Sequence, residues 1–305
     1  LTPVVTRNHT ITSPLWKART RALITSWIPH CVDECNSTGV KQGPGGLDNF
    51  IAPAKALLCE PYAAHKGYVF SNSWVHQTVE AMSLALMVDA DGDADILAAQ
   101  ARMRDTLEDW IPKILAAQHP DGYLQTAFTL RNAPRPAGAT NPGGSQRPWL
   151  ERWTPAGRAN HEGYVGGYFI ESAINHYTMT SSTGHTDARL YDAAKKLADC
   201  WADHIGPPPR QEWFDGHQEM EQALVRFGRF VNELEGGGKG DRYIALAKFL
   251  LDCRRNGSEY DQSHLPVVQQ YEAVGHAVRA VYTYSGMADV AVETHDADYQ
   301  SAVKS

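Results

Sequence analysis

Three short segments of the 305-residue chain pair an imidazole with a carboxylate. His161 is followed directly by Glu162, His217 and Glu219 lie within Gly216-His217-Gln218-Glu219, and Glu272 stands four residues before His276. Such pairs can move protons or hold hydroxyl groups. Each pair alone reads equally well as a structural histidine or as an ordinary i,i+4 helix pair. Aromatic residues point the same way as the pairs. Trp74, Trp149, Trp153, Tyr164, Tyr168 and Trp213 fall near expected helix starts or in one long loop. Aromatic faces beside convergent polar groups are what a sugar requires, whereas a single tryptophan more often fills a core.

The elements that must position these residues are helices. Apolar residues recur at helical spacing: Val75, Val79, Met82 and Leu86 share one stripe, and Leu190, Ala193, Leu197 and Trp201 another. Ser13-Pro14 reads as an N-cap followed by an N1 proline, and Thr186-Asp187 and Asp241 read as caps of later helices. The expected helices cover 13–35, 47–60, 72–90, 94–119, 161–181, 186–206, 217–235, 240–255 and 265–294, with a tenth starting at 297. A Pro- and Gly-rich loop separates the fourth and fifth, from about 125 to 160. Short connections make neighbours antiparallel. The expected fold is therefore all-α, an (α/α)6 toroid in a single domain spanning 1–305. Nearly five of its six hairpins are present, the last helices being expected after Ser305. The three imidazole clusters sit at the starts of alternate helices, so they should meet at one end of the ring. Helix N-termini there also offer free N–H groups and positive dipole ends.

Composition excludes several other classes. The net charge of −7 argues against a nucleic-acid footprint and against anionic membranes. No apolar run approaches the ~20 residues of a membrane helix. Five cysteines, at 31, 35, 59, 200 and 253, do not suggest a disulfide framework. Cys31 and Cys35 would share a helix face, as small apolar core residues or as a reactive pair. Gly236-Gly237-Gly238-Lys239-Gly240 lacks P-loop spacing and reads as a helix connection. Sequons at Asn8, Asn36 and Asn256 leave the compartment open, cytoplasmic or secreted. The oligomeric state is likewise open.

Several segments in order resemble glycoside hydrolase family 127, the β-L-arabinofuranosidase group. Ile11-Thr12-Ser13-Pro14-Leu15-Trp16 is similar to its opening "TSPFW", and His119-Pro120-Asp121-Gly122-Tyr123-Leu124 to "QPDGYL". His161-Glu162-Gly163-Tyr164 resembles "HELY", Gly216-His217-Gln218-Glu219-Met220-Glu221 resembles "GHQEIE", and Gly275-His276-Ala277-Val278-Arg279 resembles "GHAVR". The resemblance implies an (α/α)6 barrel and retaining hydrolysis of β-L-arabinofuranosides, in the degradation of plant polysaccharides. It implies a cysteine thiolate nucleophile, zinc held by Glu and Cys, and a separate Glu as acid/base. Those family motifs lie downstream of the segment Gly286-Met287-Ala288-Asp289, which this chain passes by about sixteen residues. The zinc ligands, nucleophile and acid/base are thus expected outside the chain, which should be inactive by itself. What carries over is sugar binding by His161, His217 and His276, with Glu162, Tyr164 and Glu219 beside them.

Two departures concern the sugar. Where the family often reads "DSDVYKW", this chain has Asn72-Ser73-Trp74-Val75-His76-Gln77-Thr78, which places Asn72 and Trp74 in the expected pocket wall. Gly167-Tyr168 stands where the family has Gly-His. Other toroid chemistries stay open on these residues: a sugar epimerase, a polysaccharide lyase, an uronyl hydrolase or a non-catalytic sugar-binding barrel.

Overall fold

The structure is a computed structural model that describes residues 9–37, 45–130 and 152–305. Among these, α1 (Pro14–Ala22), a π turn (Leu23–Trp27) and α2 (Ile28–Asn36) form one run, followed by α3 (Asp48–Leu57), α4 (Asn72–Leu86) and α5 (Ala94–Ala116). A short α6 (Thr126–Thr129) precedes α7 (Glu162–Ser182) and α8 (Arg189–His204). The rest are α9 (Met220–Glu235), α10 (Asp241–Asp252), α11 (Ala277–Thr294) and α12 (Ala297–Lys304). No β-strand occurs among the described residues, where a single isolated bridge joins Ile205 and Gln211.

Burial separates two layers. On α8 one face is buried, carrying Leu190, Ala194, Leu197 and Trp201, while Asp192, Lys196 and Asp203 face water. A one-sided helix of this kind belongs to an outer layer. Buried residues surround much of α7, including Val165, Phe169, Ile170 and Ile174, as an inner helix requires. Each large side chain so buried stabilises the fold by ~2 kcal/mol. Packing follows the same order: α2, α4, α7, α9 and α11 pack as successive neighbours in an inner row, and α5, α8 and α10 back them. Each inner helix also packs on its hairpin partner, as in α4 with α5, α7 with α8 and α9 with α10. The ends of the row carry exposed apolar side chains, Trp16 and Trp27 at one and Val278 and Val281 at the other.

Three expectations are corrected. The helix expected over 265–294 begins only at Ala277. Gly275 adopts φ +76°, and a Cβ there would collide with the Glu259 carbonyl, so a right-handed helix cannot run through it. Glu272 consequently lies outside any helix and is exposed, and it forms no helical pair with His276. The helix expected from 217 starts at Met220, which leaves His217 in the preceding loop. Among the caps, Ser13 occupies the N-cap without a side-chain bond, and the later N-caps are Ala188 and Gly240 rather than Thr186-Asp187 and Asp241. Asp187 still accepts the Arg189 N–H at 2.9 Å. Trp149 and most of the long loop lie outside the described residues.

Candidate functional site

The N-termini of the inner helices converge. His161 is the N-cap of α7, Glu219 that of α9 and His276 that of α11. His161 holds φ +59°, a left-handed conformation that costs a non-glycine residue ~1 kcal/mol and is retained only where surroundings impose it. That conformation turns the two members of the first pair apart. Glu162 points inward, where its carboxylate accepts the Tyr123 hydroxyl at 2.6 Å and the Trp153 N–H at 2.9 Å. Burial pushes this carboxyl up to about 8. Glu162 therefore ties the chain on either side of the long loop to α7. Glu162→Ala would orphan both donors and is expected to lower stability by about 3 kcal/mol in urea unfolding. Glu162→Gln, which keeps hydrogen-bonding capacity for both partners, should cost less than half of that. Equal losses in the two variants would refute this role.

The second cluster is positioned by a residue that the motifs did not single out. Asp215 is buried, and its carboxylate accepts the N–H groups of Gly163 at 2.5 Å, Tyr164 at 3.2 Å and His217 at 2.8 Å. It thus supplies, from the loop before α9, an acceptor for three N–H groups at the start of α7, and burial pushes this carboxyl up to about 7, above which it is an anion there. Buried Arg254 donates twice to the Asp215 carbonyl, at 2.7 and 2.5 Å. The result is a stack: the His161 and His217 rings lie 3.2 Å apart at 22°.

Arg279 completes the group. Its guanidinium donates to Nε2 of His217 and lies over the Tyr260 ring, 4.5 Å from its centre. A guanidinium has no acceptor, so Nε2 of His217 is the unprotonated nitrogen and Nδ1 carries the proton. His276 Nδ1 accepts the Arg279 backbone N–H at 3.5 Å, and the His276 backbone N–H reaches the Tyr260 carbonyl at 3.1 Å. Burial, the paired ring and nearby Arg279 hold His217 down at about 2, and burial with Arg279 holds His161 at about 3. Both imidazoles are neutral at ordinary pH.

Aromatic residues wall this group. Phe70 packs on His161 at 4.5 Å and meets Trp74 edge-on at 5.9 Å. Tyr164 lies 5.5 Å from His161 and 4.9 Å from Tyr168, whose hydroxyl bonds that of Tyr282. Asn72, at the start of α4, is fully buried, and neither side-chain atom has a partner among the described residues. Trp153 and Trp213 are elsewhere: Trp153 packs on Tyr123 and Trp201, Trp213 on Trp201, in the core. The structure thus brings His161, His217, His276, Tyr164 and Trp74 into one neighbourhood and turns Glu162 out of it. Sequence reasoning passed over Asp215, Phe70, Tyr260 and Tyr282. Arg279 was read only as the end of a motif. Asp215 directly precedes Gly216-His217, and that adjacency was the available signal.

Neutral imidazoles, phenols and an arginine beside aromatic faces can bind a hydroxylated ring from several sides. The family model described as Beta-L-arabinofuranosidase, GH127 catalytic domain, matches residues 8–305. The chain belongs to glycoside hydrolase family 127. A "Non-reducing end beta-L-arabinofuranosidase" of Bifidobacterium longum subsp. longum is 29% identical over 93% of this chain and 43% of its own length. A solved GH127 beta-arabinofuranosidase is 32% identical, with a TM-score of 0.76, over 99% of this chain and 42% of its own. A GH127 beta-L-arabinofuranosidase from Geobacillus stearothermophilus T6 is 26% identical, TM-score 0.76, over 97% and 44%. This GH127 chain therefore spans less than half the length of these relatives.

The residues described in this GH127 chain do not fit a zinc centre. No three His, Cys, Asp or Glu side chains gather among them as a metal-binding group. Its three buried thiols are also poorly suited to nucleophilic attack. All five cysteines are free, and burial pushes Cys35 up to about 11 and Cys200 and Cys253 up to about 12. A thiol so raised carries little thiolate at neutral pH.

Proposed function

We propose that this chain is the sugar-holding helical barrel of a glycoside hydrolase that releases terminal L-arabinofuranose from plant-type glycosides with retention. The observation that carries the reading is the stacked His161–His217 pair with Arg279, at the common end of α7, α9 and α11, in a GH127 chain. In this reading the neutral imidazoles of His161, His217 and His276 exchange hydrogen bonds with sugar hydroxyls. Arg279 keeps His217 in one tautomer, so the free nitrogens present a constant donor pattern. Tyr164 and Trp74 cover the C–H faces of the ring, and Asn72 and Glu219 complete the polar wall. The helix N-termini favour a carboxylate or developing negative charge at the reacting end.

Retaining hydrolysis needs a nucleophile and an acid/base about 5 Å apart. Both, with a zinc-bound thiolate, are assigned to the part of such an enzyme that this chain does not span. The test combines binding and turnover on the chain itself. Calorimetry should show saturable binding of methyl β-L-arabinofuranoside, and p-nitrophenyl β-L-arabinofuranoside should release no nitrophenolate. Absence of pentoside binding would defeat the carbohydrate reading. Turnover would defeat the assignment of the nucleophile outside the chain, and proton exchange at a sugar carbon would point to epimerase chemistry.

A further inference from the structure

The stacked imidazoles continue outward as a series of rings. Phe70 packs on His161 with ring centres 4.5 Å apart, and Tyr68 lies parallel to Phe70 at 5.2 Å with an interplanar angle of 4°. Phe70 is half-buried, whereas Tyr68 is 52% exposed. The series therefore leads from the imidazole group to the surface and ends on a ring that water still touches.

A single half-exposed tyrosine is ordinary on a protein surface. What sets Tyr68 apart is the hold on its backbone. It belongs to the connection between α3 and α4, which buried polar side chains from separate parts of the chain bind. Asn49 of α3 accepts the Lys66 N–H at 2.8 Å and donates to the Lys66 carbonyl at 2.9 Å. Gln125, ahead of α6, donates to the Val69 carbonyl at 3.0 Å. Ser71 donates its hydroxyl to the Tyr68 carbonyl, which also accepts the Ser71 N–H at 2.9 Å. Surface connections are ordinarily the mobile parts of a fold. This one presents an aromatic ring from a fixed backbone, which lowers the ordering cost of any contact made there.

A glycoside has a group on each side of the bond to be broken, and the histidines, Tyr164 and Trp74 account for one of them. The other has to depart into solvent, so its place is on the solvent side of the imidazoles, where Tyr68 stands. Sugar C–H faces and aryl rings both stack on an aromatic plane, and a small alkyl group covers little of it.

We propose that Tyr68, backed by Phe70, is a platform for the leaving group, and that it favours leaving groups carrying a ring, a second sugar or an aryl group, over small alkyl ones. The proposal rests on the carbohydrate reading above and adds the side of the glycosidic bond that the reading does not place.

Calorimetric titration tests it with methyl β-L-arabinofuranoside, p-nitrophenyl β-L-arabinofuranoside and a β-linked L-arabinofuranose disaccharide, on the unaltered chain, Tyr68→Ala and Tyr68→Trp. The two ring-bearing ligands should bind the unaltered chain about five-fold more tightly than the methyl glycoside, the worth of one aromatic stack. Tyr68→Ala should bring the three affinities together, and Tyr68→Trp should restore the difference. The nitrophenyl protons should shift upfield on binding, which a stacked ring causes and a merely structural Tyr68 does not. An advantage confined to the nitrophenyl compound would overturn the claim on sugars, and one confined to the disaccharide the claim on aryl groups. Equal affinities in the unaltered chain, or an advantage that survives Tyr68→Ala, would overturn the proposal and leave the carbohydrate reading standing. Absence of binding by all three would overturn both. Should Tyr68→Ala fail to fold, Tyr68→Leu, which keeps bulk without a ring, decides the matter.

Discussion

Replacing Asp215 with alanine is expected to lower stability by about 4 kcal/mol and to abolish sugar binding. The substitution leaves the backbone N–H groups of Gly163, Tyr164 and His217 without their carboxylate acceptor in a buried site. Above about pH 7, where Asp215 is ionised, it also removes a negative charge from the N-terminus of α7. Arg254 binds the backbone carbonyl of residue 215 and would still hold the loop from its other side. The damage should therefore localise to the junction of α7 with His217. Proton NMR reads that junction directly, because rings stacked at 3.2 Å shift each other's signals upfield. In Asp215→Ala the His161 and His217 ring protons should move toward unstacked positions. Asp215→Asn keeps one acceptor oxygen but turns an amide toward N–H donors, so it should fall in between. A loss under about 1 kcal/mol in urea unfolding, with unshifted imidazole signals, would remove Asp215 from the account.

The second large effect is a stability maximum on the acid side of neutrality. Buried Glu162 sits at about 8 and Asp215 at about 7, both above their ordinary values. The folded state holds these protons longer than the unfolded chain does. Their contribution is complete below about 4 and is lost as pH rises toward 8. Four histidines that burial pushes down act in the opposite sense: His65, His76 and His161 at about 3 and His217 at about 2. Their contribution is complete above the ordinary value near 6.5 and is lost on acidification toward 3. Between about 4.5 and 6.5 the two sets oppose, and Glu219, which burial also pushes well up, adds to the carboxyl side, so that they largely cancel. Above that window the raised carboxyls still titrate differently, and below it the imidazoles do, joined by carboxyls that partners hold low, such as Glu235 at about 2 beside Lys195. Urea midpoints measured from pH 3 to 9 should therefore form a plateau near pH 4.5–6.5 with a fall on each side. A midpoint that climbs steadily from pH 6.5 to 8.5 would contradict the burial of Glu162 and Asp215. Glu162→Gln should flatten the alkaline fall and leave the acid one intact.

The course of the helices was legible in the sequence because amphipathic periodicity is local. The stripe through Leu190, Leu197 and Trp201 of α8 is buried as a set. The start of α12 at Ala297 is where the pattern places it. The stretch 265–276 was not legible by that signal, since its apolar spacing continues into α11. One glycine at φ +76° breaks the helix, and only the Glu259 backbone pressed against it makes that conformation obligatory.

By itself the sequence determined an all-helical chain of alternating inner and outer layers, with imidazoles at the starts of alternate helices. From that alternation it follows that His161, His217 and His276 share one end of the molecule. Only the tertiary structure decided which member of each motif faces that end. Glu162 adjoins His161 yet turns to Tyr123 and Trp153, because a left-handed cap residue sends successive side chains in different directions. Asp215 and Arg279 gained their roles from partners more than 50 residues away, Gly163 and His217 respectively. Periodicity specifies the face of one helix; the meeting of caps from separate helices depends on packing between them, which no local pattern encodes.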